Sequence, residues 1–191
     1  MEVVVIGGAG HVGLPFGLVS ADLGHQVVAY DTDAAAVERV MAGDMPFMED
    51  GAPELLRRVL DAGSFSASAD SEVVSEAEVV VVVIGTPVDE HLNPDPSAVV
   101  DALTGLADRF RDGQLVILRS TVFPGVTRKV EAWFSEHHPG VSVAFCPERI
   151  AEGFALTEIV SLPQLVGART EEVGTRAGEF FRTLGVEVIH V

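Results

Sequence analysis

The chain has 191 residues, 48% of them apolar and 21% charged, a balance that describes one folded domain with a substantial core and excludes a disordered chain. Twelve basic residues against 29 acidic ones give a net charge of −17, a field that repels nucleic acid and anionic membrane surfaces. A phosphorylated ligand stays open, because backbone N–H groups can bind phosphate locally.

The chain begins directly in the strand-like run EVVVIGG, with no secretory signal visible, and no apolar run approaches the roughly 18 residues of a spanning helix; a cytoplasmic protein is the expectation. Strands are predicted at 3–6, 26–30, 79–84, 114–119, 141–145, 164–168 and 186–191, nearly continuous in apolar character as parallel strands covered on both faces are. Helical patterns lie between them at 12–24, 34–42, 52–62, 96–110, 125–136 and 171–184. This alternation predicts an α/β fold, a doubly wound parallel sheet formed by residues 1–191 as one domain with extra strands at its C-terminal end. Asp95 and Pro96 read as the N-cap and first position of the fourth helix. Segment 147–163 reads as irregular, and a long loop inside a compact domain is more often functional than idle.

The first strand runs into GGAGHVG. Gly8, Gly10 and Gly13 fit G-x-G-x-x-G in its strand–turn–helix context, with Gly7 as an extra glycine ahead of it. In this pattern the first glycine permits the tight turn, the second lets a pyrophosphate approach the backbone and the third allows close helix–strand packing. The second strand ends in AYDTD, and Asp31 lies eighteen residues after Gly13, near the distance expected of an acid that holds an adenosine ribose. A carboxylate there repels a 2′-phosphate, and no arginine follows before Arg39, so NAD is favoured over NADP.

Later strand ends carry IGTPVD (84–89) and RSTVFPG (119–125), which places Thr86 and Thr121 on the rim where ligands of open parallel sheets bind; capping of a turn or helix is their other reading. FCPERIAEGF (145–154) starts on the same rim. Pro147 and Gly153 frame a predicted helix of little more than one turn, on which Glu148 and Glu152 share a face at i,i+4. Like charges so placed disfavour a helix, which hints at function, although two solvated surface acids remain the plain alternative. Cys146 closes an apolar strand and reads as a buried small residue. The histidines point to no metal site, the adjacent His137 and His138 included.

Five motifs, GGAGHVGLP, YDTD, GTPVDEHLNPD, RSTVFPG and CPERIAEGFAL…LPQLVG, resemble in order and spacing those of the UDP-glucose/GDP-mannose dehydrogenases, the nucleotide-sugar 6-dehydrogenases. The resemblance covers essentially the whole chain and is to the family's N-terminal, Rossmann-type NAD-binding domain. It implies an enzyme that oxidises the C6 alcohol of a UDP-sugar to the carboxylate in two hydride transfers with two NAD, in polysaccharide biosynthesis, as a homodimer when full length. It implies cofactor contacts from Gly8, Gly10, His11, Val12, Gly13, Asp31, Thr86, Pro87 and Thr121, and catalytic roles for Thr121, Glu148 and Glu152. Of the paired acids, Glu148 matches the one implicated in acid–base chemistry at thioester hydrolysis, and Glu152 the one that positions substrate and a catalytic water or lysine. PER in place of PEF resembles the UDP-N-acetylhexosamine branch, and ERIAEG with SLPQLVG leans the same way, towards UDP-N-acetylmannosamine or a related amino sugar.

The family pattern continues with a helix carrying a lysine and an asparagine, and later with a substrate-binding domain and a catalytic cysteine. The chain ends at EVIHV before either; Lys129, its only lysine, does not match the catalytic one, and Cys146 is not the nucleophile. The expectation is an excised N-terminal domain that binds NAD and is inactive alone. A stand-alone NAD-binding or regulatory module, or a Rossmann dehydrogenase of hydroxyacyl or phosphogluconate type, stays open.

Overall fold

The computed structural model describes residues 1–85, 97–151 and 153–191. Its strands are β1 (Glu2–Ile6), β2 (Gln26–Tyr30), β3 (Phe65–Ser68), β4 (Val79–Val82), β5 (Leu115–Leu118), β6 (Ser142–Phe145), β7 (Gln164–Ala168) and β8 (Val188–His190). Its helices are α1 (Gly13–Asp22), α2 (Ala34–Met41), α3 (Ala52–Asp61), α4 (Ala98–Thr104), α5 (Val126–His137), α6 (Ala155–Ser161) and α7 (Glu171–Thr183). The strands stand in the order β3-β2-β1-β4-β5-β6-β7-β8.

Each valine-rich strand serves two cores, because successive side chains leave a strand on opposite faces. Val3, Val5, Val79, Val81, Leu115 and Ile117 enter a core closed by α1, α3, α6 and α7. Their neighbours Val4, Ile6, Val80, Val82, Val116 and Leu118 enter the other, closed by α4 and α5. At about 1.5–3 kcal/mol for each fully buried large aliphatic side chain, these strands dominate the folding energy. They also hold the C-terminal ends of β1, β4, β5 and β6 on one rim.

Most predicted strands and helices form within a few residues of their expected bounds, and four features differ. The sheet is not parallel throughout: β1 to β6 pair in parallel, β7 runs antiparallel to β6, and β8 is parallel to β7. Strand β3 was not expected, since FSAS has one large apolar residue, Phe65, and pairs only with β2 at the sheet edge. The fourth predicted helix is shorter, ending at Thr104 with a separate 3-10 turn at Ala107–Arg109, and its expected entry at Asp95 and Pro96 lies outside the described residues. No helix covers 147–151; instead α6 forms later, inside the segment expected to be irregular, where Ala155 and Ile159 bury one face at i,i+4. Among the described residues no helix is long and apolar enough to cross a membrane.

His25, at the turn from α1 into β2, is buried against Phe180 of α7, with ring centroids 5.4 Å apart. The Thr183 hydroxyl donates to the Phe180 carbonyl at 2.6 Å, so at 2.7 Å from His25 Nε2 its oxygen accepts. The ring is therefore the neutral Nε2–H tautomer, and Nδ1, the atom that must take up a second proton, is buried without a partner. Burial, with a smaller contribution from the N-terminal ammonium, lowers its pKa from the ordinary 6.5. The unfolded chain thus binds the proton more readily. Stability is full above about pH 6.5 and declines as pH falls through that value, by up to about 1.4 kcal/mol per pH unit, until the lowered folded pKa is reached. Urea unfolding between about pH 7.5 and 5 measures this decline, and a His25→Leu variant is expected to flatten it.

Candidate active site

The sharp turn after β1 is set by Gly7, at φ +80°, with the N–H groups of Gly7 and Gly8 both donating to the Tyr30 carbonyl at 3.0 Å. The turn role expected of Gly8 belongs to Gly7. Gly8 is needed for packing, since a Cβ there would lie 2.6 Å from Cα of Ala29 in β2. At Gly13 a Cβ would lie 2.2 Å from the Gly7 carbonyl oxygen, so the third glycine presses α1 onto the turn as expected. Gly10 is different: its nearest protein neighbour would be 3.4 Å from a Cβ, an ordinary contact, and it lines an open cleft. What the absent side chain at Gly10 spares is space for a ligand.

That cleft, of about 480 Å³, lies where the strand order reverses between β2-β1 and β4. Gly7, Gly10, Asp31, Ile84, Asp101 and Leu106 line it, and among the described residues no arginine or lysine does. The Asp31 carboxylate accepts from the Ala9 N–H through Oδ2 and from the Asp33 N–H through Oδ1, both at 3.1 Å. A carboxylate offers about four acceptor sites, so two remain open on Asp31. Asp101 adds a second carboxylate on the α4 side, held by the Ser97 hydroxyl at 2.7 Å. Sequence reasoning missed Asp101, because an acid inside a helical pattern carries no motif. Arg39 lines a separate groove beside Phe47 and Arg57, away from Asp31, and two carboxylates with no facing cation make a poor seat for a 2′-phosphate.

The other expected cofactor residues divide. His11 is exposed and stacks on Phe47 of the loop after α2, ring centroids 4.2 Å apart; Val12 precedes α1. Thr121 is exposed on the rim just beyond β5, next to the buried Ser120, whose hydroxyl accepts the Ile84 N–H at 2.8 Å and ties this loop to the one after β4. Thr86 and Pro87 lie outside the described residues, as does Glu152.

Beyond β5 and β6 the parallel pairing reaches Cys146, whose N–H donates to the Leu118 carbonyl at 2.9 Å, and then slips by one residue, so that the Glu148 N–H donates to the Arg119 carbonyl at 3.0 Å. This slip brings Glu148 to Arg119, with which its side chain forms an ion pair. Its Oε1 accepts the N–H groups of Arg149 at 2.7 Å and Ile150 at 3.0 Å. Those bonds give the backbone an alternative to a helix, which is why the predicted turn of helix at Pro147 does not form. Arg119 is 2% exposed; burial pulls its guanidinium down to about 10, still cationic at neutral pH. Glu49, another residue the sequence did not mark, is buried and accepts from Gly153 N–H at 3.0 Å and Leu156 N–H at 3.4 Å, fixing the loop before α6.

Cys146 is fully buried, and burial pushes its thiol up to about 12, only partly offset by the Arg119 charge. Thiolate is the reactive form, so the native chain is expected to resist Ellman's reagent over hours at neutral pH and to release one equivalent of thiol in denaturant. Rapid native labelling would contradict the buried placement.

Comparison with known proteins agrees with this geometry. Residues 1–185 match the family model described as the UDP-glucose/GDP-mannose dehydrogenase family, NAD binding domain. Escherichia coli (strain K12) UDP-N-acetyl-D-mannosamine dehydrogenase is 27% identical over 187 residues, spanning 92% of this chain and 44% of the relative. Pseudomonas aeruginosa UDP-glucose 6-dehydrogenase is 33% identical over 191 residues, spanning 96% and 41%. The solved UDP-D-ManNAc dehydrogenase of Pyrococcus horikoshii superposes with a TM-score of 0.93 at 25% identity, covering 100% of this chain and 47% of that one. A Mycobacterium tuberculosis 3-hydroxyisobutyrate dehydrogenase, at 20% identity and a TM-score of 0.71 over 99% of this chain and 53% of its own, shares the fold alone. The chain thus spans less than half the length of the curated relatives it matches, and those relatives are dehydrogenases rather than stand-alone regulators. A glycine turn pressed against β2, a ligand space at Gly10 and a paired-carboxylate cleft at the strand-order reversal suit the cofactor this match names: the chain belongs to the UDP-glucose/GDP-mannose dehydrogenase family, as its NAD-binding domain.

Proposed function

We propose that this domain serves an enzyme that oxidises the C6 alcohol of a UDP-sugar, of the N-acetylhexosamine or glucose type, to the uronate. The overall change is a four-electron oxidation: alcohol, water and two NAD give carboxylate, two NADH and three protons. Bound NAD supplies a hydride acceptor. The observation that carries the reading is the cleft at the strand-order reversal, in which Gly10 leaves room for a pyrophosphate and Asp31 keeps two acceptor sites for a ribose.

Each residue of the chain then has a limited task. The N–H groups of Gly7 to Gly10 are taken up within the turn, so His11, Val12 and Gly13 are the residues that offer backbone N–H groups at the start of α1, and Asp31 accepts from the ribose while discriminating against a 2′-phosphate. Thr121, beyond β5, and Glu148, beyond β6, lie on the rim shared by the strand ends. There Glu148 handles the proton of the water that hydrolyses the acyl intermediate, a task that needs a base within hydrogen-bond reach, and Glu152 helps to position that water and the substrate. The thiol that would carry that acyl group is not Cys146, which is buried and held protonated. The chain on its own therefore binds NAD without turning over UDP-sugars. The substrate, a cytoplasmic setting and a homodimer belong to the whole enzyme.

Calorimetry tests this reading. NAD is expected to bind and NADP to bind at least tenfold more weakly. Asp31→Asn is expected to weaken NAD by roughly ten- to a hundredfold, as for loss of a charged hydrogen-bond partner worth about 1.5–3 kcal/mol. No heat from NAD at millimolar concentration would contradict the reading, and NADH production from a UDP-sugar by the chain alone would contradict the assignment of the thiol to another part of the enzyme.

A further inference from the structure

Arg119 has no task in the proposed reaction, yet it is among the most constrained side chains of the molecule. It stands immediately after β5, 2% exposed, with its guanidinium 4.5 Å from the ring centroid of Phe16 in α1 and 5.3 Å from that of Phe181 in α7. Nη1 donates to Gln164 Oε1 at 2.7 Å, and Nη2 donates to Glu148 Oε2. Nε has no acceptor among the described residues. Gln164 is itself buried and donates from Nε2 to the carbonyls of Pro147 at 3.3 Å and Leu165 at 2.9 Å, so it cannot rotate away from Arg119 without losing both. The antiparallel setting of β7 beside β6 is what brings Gln164 across to this point.

A dehydrated cation needs an anion, and among the described residues Glu148 is the carboxylate bonded to it. The acceptor count for Glu148 then becomes definite. Oε1 takes two backbone N–H groups and Oε2 takes Arg119, filling three of about four sites and leaving one on Oε2. The side chain is 12% exposed, enough for that one site to meet solvent.

We propose that Arg119 is the positioning residue of the acidic rim: it holds Glu148 as an oriented, ionised proton acceptor whose single open site, on Oε2, is where a water is activated. The inference rests on the reading of Glu148 as an acid–base group and adds to it a direction, in which Glu148 takes a proton and does not start by giving one. Gln164 serves as the strut that keeps the guanidinium fork facing Glu148.

The test is carboxyl carbon NMR of Glu148 in the 191-residue chain, with the resonance assigned by its disappearance in Glu148→Gln. In the parent the resonance stays at its carboxylate position from about pH 8 to about pH 5, and Arg119→Lys, which keeps a charge, restores that behaviour; Arg119→Met, which leaves the partly buried carboxylate without its cation, shows protonation within the window. A titration in Arg119→Met that matches the parent overturns the proposal, since an arginine that only filled space would leave the charge state of Glu148 alone. If Arg119→Met does not fold, the pair is read from the other side. In Glu148→Gln, hydrogen exchange at Nη2 of Arg119 is expected to quicken at least tenfold, and unchanged exchange there overturns the proposal. Failure of the functional reading is separable: full activity of Glu148→Gln in an enzyme containing this domain would remove Glu148 from the chemistry while leaving the pairing with Arg119 intact.

Discussion

The structure depends on how closely the backbone after β1 can fold back on the sheet. Gly7, Gly8 and Gly13 each occupy a position where a Cβ would collide with backbone or with Ala29, at 2.2 to 2.7 Å from the nearest atoms. Because none of them has one, the turn reverses within hydrogen-bond distance of Tyr30, and α1 starts directly above it. The placement of α1 in turn positions groups far along the chain. Phe16, one turn into α1, becomes the floor on which Arg119 lies, and at Gly17 a Cβ would lie 3.1 Å from the Phe65 ring, so its absence lets α1 settle onto the sheet. The cofactor loop and the acidic rim are thus both supported by one short helix.

The second organising feature is the use of charge inside a very acidic protein. Most of the 29 acidic residues have no assigned task, and among the described residues Asp31 and Glu49 are held by backbone N–H groups and Asp101 by a hydroxyl, not by basic side chains. Asp31 is tied to Ala9 and Asp33, and Glu49 to Gly153 and Leu156, in each case fixing a loop to a distant segment. Glu148 departs from this pattern by pairing with a buried arginine as well. A buried ion pair is weak evidence for stability, because both charges must be dehydrated. Its presence here is easier to understand through what it orients than through what it contributes to folding.

The fold was legible where one physical rule decided the outcome. Valine-rich runs buried on both faces announce themselves, as does a glycine turn between strand and helix, so β1, β2, β4 and β5 were readable to within two residues and the glycine loop by its place in the chain, although its tight turn falls on Gly7 rather than Gly8. The direction of β7 was not, because QLVGA has the same apolar pattern whichever way it runs. FSAS was unreadable as a strand, since edge pairing with β2 asks little of its side chains. Within the site, Asp31 was visible through its spacing and Glu148 through its motif. Arg119 stands inside the RSTVFPG motif without a signal of its own, because its burial and its partners come from α1, α7 and β7, all remote in sequence. The expected helix at Pro147 failed for a local reason, since a carboxylate that binds the next two N–H groups competes with the helix it was meant to start.

The central claim is that the cleft between β1, β2, β4 and α4 holds the dinucleotide. Amide chemical-shift mapping of the 191-residue chain during titration with NAD addresses it most directly. The account predicts the largest saturable shifts at Gly7 to Gly13, Asp31 and Asp101 to Leu106. Saturable shifts confined instead to the groove lined by Arg39, Phe47 and Arg57, with the glycine turn unmoved, would contradict it.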